Sequence, residues 1–377
     1  MPRAQTPAVT SDRPGRLDAL TGLRWWAAFA VFMYHMRFLP LPGLSSIAQL
    51  GDFGVMFFFV LSGFVLTLST TPGTKKSTFY WRRFSRIWPA NFIALLLAIP
   101  VFYSFSPDPS HWWVKMVSIP VLLLSIPILQ GWSRDPLILF SGNPASWTLT
   151  CEFFFYALHP FISRAMRLAN SRALLFVGIG VFLVGLGYNA VSLSSWGGWT
   201  AQVPLPISRL TEFVLGMVIG AAVRRGYLTK VPSWIAFACL GLFVGALAVV
   251  TSLKISSPIA RILVDYSPSW MVILFVFLIG VVASRNARGK RSVLQWRWLV
   301  ILGEWSFAFY LVHATCIYLV RDFLSPQTSS WNNLGWYALI FVFALAIAGL
   351  LHTLVERPLE RRLRSWWESR SALNAAR

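Results

Sequence analysis

Leu20-Thr21-Gly22-Leu23-Arg24-Trp25-Trp26-Ala27-Ala28-Phe29-Ala30-Val31-Phe32-Met33-Tyr34-His35 is an apolar stretch that carries two ionisable side chains. A helix rises about 1.5 Å and turns about 100° per residue. The steps from Arg24 to His35 then cover roughly 16 Å and close to three full turns. Both side chains fall on one helix face, Arg24 at the mouth and His35 about half a bilayer deeper. An ionisable group at that depth is costly and marks function by default. Histidine is also the side chain best suited to move protons near neutral pH. The competing reading is a histidine hydrogen-bonded inside a helix bundle.

The rest of the chain shares this character. Of 377 residues, 56% are hydrophobic and 12% charged, and the mean hydropathy is +0.62. A soluble domain of that composition would have no polar surface. The chain therefore reads as an all-α, polytopic membrane helical bundle, and its 19 Trp suit the interfacial belts. The net charge of +20 lies between apolar runs. It reads as topology signals and contacts with membrane lipids, not as a nucleic-acid surface. Met1 to Arg16 lacks a signal-peptide core, so the first apolar run is expected to be retained. Cys151, Cys239 and Cys316 lie in apolar runs without metal spacing, so neither a metal site nor a disulfide framework is expected.

Ten runs are long enough to cross hydrocarbon: 20–39, 51–70, 88–105, 147–163, 173–189, 208–223, 234–252, 268–284, 299–320 and 334–355. An eleventh candidate, 112–129, contains Pro120 and Pro127. Loop charge decides about it. With both termini cytoplasmic and ten crossings, 26 of the 33 Lys and Arg fall inside. Arg37, Lys115, Arg134, Arg209, Lys254, Arg261 and Arg321 are left elsewhere. That asymmetry favours a re-entrant or interfacial segment near 112–129. The chain then divides into a cytoplasmic tail over 1–15, one integral membrane domain over 16–358 and a basic cytoplasmic tail over 359–377.

Polar residues inside these runs mark a candidate site. Arg83 and Arg86 are three apart at the inner mouth of the third span and share a helix face. Two guanidiniums so placed can clamp a phosphate or pyrophosphate, and Arg24 is expected at the same level. A positive-inside anchor would also place arginines there. On the fourth span Thr148, Glu152, Tyr156 and His159 form one stripe. A carboxylate inside a span must pair or face a wet cavity, so Glu152 is free to neutralise an arginine, orient a histidine or stay protonated. On the ninth, Ser306, Tyr310 and His313 share a face, and His313 is expected at the depth of His35. Gly216 and Gly220 have the spacing of close helix packing. Ser62-Gly63 reads the same way, and no nucleotide-binding loop or serine-nucleophile elbow is present.

Six segments in order resemble acyltransferase family 3, the integral membrane acyltransferases. They are Arg16 to Arg24 with its gap to His35, Gly54 to Phe64, Arg83 to Pro89, Trp147 to Tyr156, Tyr310 to His313, and Glu356-Arg357-Pro358. The segment from Trp147 departs from the family's usual pattern at Thr148, Thr150, Cys151, Phe153 and Phe154, and Met56 stands where an acidic residue is often found. The resemblance implies a protein of the bacterial cell membrane with ten spans. It also implies transfer of acyl groups, often acetyl, onto sugars and other hydroxyl-bearing acceptors. The expected donor is a cytosolic acyl-CoA and the expected acceptor a hydroxyl of a carbohydrate or a glycosylated small molecule. It maps functional roles onto Arg24, His35, Arg83, Arg86 and Glu152. The expected scheme has Arg83, Arg86 and Arg24 gripping the acyl-CoA, His35 as general base, and Glu152 or His313 orienting the imidazole or the acceptor. Tyr310, Ser306 and Tyr156 are expected at the substrate. A transporter or flippase of a polar or lipid-linked substrate is the alternative, since polar midplane groups and broken helices suit it too.

Overall fold

The computed structural model describes residues 17–71, 73–324 and 327–375. The tail expected over 1–15, and Arg16, lie outside them. Eleven long helices organise the described chain: α1 (Asp18–His35), α2 (Phe53–Ser69), α3 (Lys76–Phe102), α4 (Trp147–Leu168), α5 (Ser171–Leu193), α6 (Leu210–Arg224), α7 (Ser233–Ser252), α8 (Ser267–Ala287), α9 (Arg297–Arg321), α10 (Asn333–Leu350) and α11 (Arg357–Ala375). The first ten fall on the ten apolar runs. A π-helical stretch, Leu351–Glu356, joins α10 to α11 without a break.

Eight helical stretches among the described residues are long and apolar enough to cross a membrane. The chain is an integral membrane protein. α1 and α4 fall short of that standard because Asp18, Arg24, His35, Glu152 and His159 lower their hydropathy. α5 shows what lies outside. Only Leu174 of its side chains is buried, and Leu175, Phe176, Leu183 and Val184 are exposed. Apolar surface of that extent belongs against lipid.

Close helix contacts are made by glycines. α2 and α6 run side by side, and a Cβ at Gly216 would land on the Val60 carbonyl, as one at Gly63 would land on that of Phe213. Gly303 on α9 meets the Thr21 carbonyl of α1 in the same way. Without Cβ atoms the backbones can approach, which is how helices gain packing where lipid gives no hydrophobic drive. Gly216→Leu is expected to force α2 and α6 apart and to cost about 1–3 kcal/mol. The thermal midpoint of the detergent-solubilised protein checks it. Gly180→Ala on α5, which meets nothing within 4 Å, serves as the neutral control.

Between α3 and α4 the chain makes a long excursion, 103–146. Tyr103–Ser104 and Lys115–Met116 form a short parallel pair, and the main helix there, Ile119–Ser125, has seven residues. Seven residues rise only about 10 Å, so this segment does not cross as a helix. Buried polar side chains fasten the excursion: Asn143 Nδ2 donates to Leu311 O at 2.8 Å, and Ser146 Oγ to Asn91 Oδ1 at 2.5 Å. At the other end α11 packs on the start of α3. Trp81 and Trp367 stack with centroids 5.2 Å apart, Trp81 Nε1 donates to Leu363 O at 2.8 Å, and Arg82 pairs with Glu368 at 3.0 Å.

Candidate active site

Two cavities lie along α2, α4 and α9. The first, of about 130 Å³, is lined by Arg24 of α1, Arg83 and Arg86 of α3, Glu152, Tyr156 and Thr148 of α4, and Ser306 and Tyr310 of α9. The three arginines marked by spacing are thus brought together. Tyr156 Oη donates to Glu152 Oε2 at 2.6 Å. Arg83 Nε is buried without a hydrogen-bond partner, and its guanidinium carbon lies 5.9 Å from the centre of the Phe79 ring. Three guanidiniums and one carboxylate line the chamber, so the lining itself is net positive and suits a polyanion, while Glu356 and Glu360 act on the arginines from outside the lining. Ser306 Oγ donates to Gly303 O at 2.8 Å and Ser62 lines the same wall.

The second cavity is larger, about 1680 Å³, and it holds the histidines. His35 Nδ1 lies 2.9 Å from Val31 O and 3.3 Å from His313 Nε2, while His313 Nδ1 lies 2.6 Å from Tyr310 O. A carbonyl only accepts, so each Nδ1 carries the proton when both rings are neutral. His313 Nε2 then has a lone pair that accepts a share of the His35 Nδ1–H. His35 Nε2 has no partner among the described residues and is left to serve as an acceptor on the cavity side.

Glu152 is therefore in the arginine cavity and not at the histidines. His313, not Glu152, holds the His35 ring. His159 is completely buried and stacks on Phe79 with centroids 5.0 Å apart, away from both cavities.

The excursion roofs the histidine cavity. Trp112, Trp113, Lys115 and Phe140 line it together with Tyr34 and Phe38 near the end of α1 and Tyr318 of α9. Arg321 sits among four rings, with its guanidinium carbon 4.8 Å from the Trp113 centroid and 4.9 Å from that of Phe38. Lys115 Nζ donates to Phe140 O at 2.7 Å, and burial pushes its ammonium down to about 8 against the pull of Asp135. Arg209 pairs with Glu212 at 2.9 Å where this cavity meets a neighbouring one of about 440 Å³. Arg37, Lys115, Arg209 and Arg321 line the histidine cavity and Arg134 the neighbouring one. Five basic residues that the charge count leaves off the inner side are thus cavity residues. Their misfit with the positive-inside pattern was the signal that could have found them.

A family model for an acyltransferase domain matches residues 17–353. The chain belongs to the acyltransferase domain family. Acyltransferase MdmB of Streptomyces mycarofaciens is 32% identical, and the match covers 92% of each chain. The putative peptidoglycan O-acetyltransferase YrhL of Bacillus subtilis (strain 168) is 24% identical over 91% of this chain and 55% of its own. The peptidoglycan O-acetyltransferase OatA of Listeria monocytogenes is 23% identical over 92% of this chain and 56% of its own. The chain spans about half the length of these two peptidoglycan relatives. No solved structure matches it. It is a membrane acyltransferase, and the transporter reading is set aside.

Proposed function

We propose that this acyltransferase moves an acyl group, acetyl by analogy with the relatives' names, from a cytosolic acyl-CoA to a hydroxyl of a sugar-bearing acceptor. The arginine cavity takes the CoA phosphates on Arg83, Arg86 and Arg24, as fork-shaped donors suited to phosphate oxygens. The acceptor lies in the histidine cavity, whose aromatic walls suit the C–H faces of a sugar ring. Its hydroxyl gives its proton to His35 Nε2 as its oxygen attacks the thioester carbonyl. The C–S bond breaks, the CoA thiolate takes a proton from the imidazolium, and an ester and free CoA result. Tyr310, which borders both cavities, is assigned the developing oxyanion, toward which its one hydroxyl proton would turn from Thr148 Oγ1 without moving the ring. Both termini are cytoplasmic in this scheme, and the protein sits in a bacterial cell membrane.

The observation that carries this reading is the His35 ring. Its Nδ1 is held by Val31 and His313 while its Nε2 is left free beside a cavity large enough for a glycoside. Incubation of the purified protein with isotope-labelled acetyl-CoA and a panel of glycosides tests it. Labelled ester and free CoA thiol are the expected products, and uptake without chemistry would overturn the reading. Trp113→Ala, in the roof, is expected to raise the acceptor KM about five- to tenfold, the value of one aromatic contact. The acyl-CoA KM of that variant should not move.

A further inference from the structure

The two cavities touch along one narrow wall. Val55 of α2 and Tyr310 of α9 are the side chains that line both. Val31, Ala145 and Tyr310 form a small buried cluster, with Val55 packed against it. Tyr310 Oη is fastened on this wall, 3.1 Å from Thr148 Oγ1 and 3.2 Å from Ala145 O. Three of the four wall residues are aliphatic.

This wall has a consequence for a donor bound as proposed above, on which the inference rests. The guanidiniums line one cavity and His35 lines the other. Reaction needs the thioester carbon about 3–3.5 Å from an acceptor oxygen that is itself hydrogen-bonded to the base. The acyl end must therefore reach through the wall between Val55 and Tyr310. We propose that Val55 gauges the acyl chain, setting how many methylenes can pass. Tyr310 is fastened through its hydroxyl and buried, so it forms the fixed jaw. Val55 is only partly buried and makes no side-chain hydrogen bond, so its size sets the gap. Asp52, Phe53 and Met56 of the same stretch face the histidine cavity, whereas Phe58, Phe59 and Ser62 face the arginine cavity. Val55 is the point where the chain passes from one to the other.

The test uses the full-length protein in detergent with unreactive thioethers, S-ethyl-CoA and S-butyl-CoA, and with CoA itself. Ligand-induced thermal stabilisation gives the affinities. Val55→Ala is expected to raise the affinity for S-butyl-CoA relative to S-ethyl-CoA about tenfold, the discrimination a methylene or two commands in an apolar pocket. Val55→Ile is expected to shift that ratio the opposite way. The affinity for CoA should be the same in all three proteins, which also reports that each is folded. Equal length dependence in all three proteins, with CoA bound, would overturn the gauge and leave the donor site standing. Absence of stabilisation by CoA in the wild type would overturn the donor site itself.

Discussion

Alanine at His35 is expected to lower acyl transfer about a thousandfold, within the 10²–10⁴ that a positioned general base contributes. Expression, thermal stability and acyl-CoA affinity should hold, because the ring's hydrogen-bond partners are one carbonyl and one imidazole and its further ring neighbour is the adjacent Tyr34. His35 is the last residue of α1 and is followed by the turn Met36–Phe38, so its loss removes no helix interior. The geometry assigns His313 the lesser part. Its Nδ1 meets Tyr310 O and its Nε2 faces His35, so it fixes which nitrogen of His35 carries the proton. His313→Ala leaves the Val31 carbonyl to do the same alone. A loss of about ten- to a hundredfold is expected there, between a positioning contact and the base itself. The measurement is the rate of labelled ester formation at saturating donor and acceptor. Full activity of the His35 variant would remove the base from the scheme, and a His313 variant worse than the His35 variant would exchange their roles.

The helices were legible because apolar runs of bilayer length have few other fates. The arginine cluster was legible too. Arg24, Arg83 and Arg86 announce themselves as charges inside apolar sequence, and a common inner level is enough to bring them together. Spacing fared less well where it had to choose a neighbour. His159 shares a face with Glu152 and Tyr156, but face gives azimuth and not company. At its height the adjoining residue is Phe79, and the ring stacks there instead of lining the cavity. Glu152 and His35 sit on different helices whose relative height no pattern encodes, so their separation into two chambers could not be read. The wall residue Val55 carries no signal at all, being one apolar residue among many. The roof was half legible. Its prolines and loop charge mark 112–129 as non-crossing, but only the folded chain shows Trp112, Trp113 and Arg321 closing over the histidines.

Removal of the Arg83 and Arg86 guanidiniums is the second large effect, and it should appear in a different parameter. Each charge-assisted contact to phosphate is worth about 1.5–3 kcal/mol, or roughly ten- to a hundredfold in affinity. Arg86→Ala and Arg83→Ala are each expected to raise the acyl-CoA KM by such a factor while leaving the acceptor KM unchanged. The double variant should lose less than the product of the two, because both face one ligand and repel each other without it. Arg86→Lys distinguishes a fork from a charge. A planar guanidinium binds two phosphate oxygens at once, whereas an ammonium keeps the charge and loses the geometry. The lysine variant should therefore fall between wild type and alanine, and its KM should rise more steeply with salt, since a point charge is what screening weakens. If instead Arg86→Ala lowers kcat at saturating acyl-CoA as much as it lowers kcat/KM, the guanidinium acts in the transition state. The phosphates would then have to bind elsewhere, and the tyrosine-bonded Glu152 would be its remaining partner in the cavity.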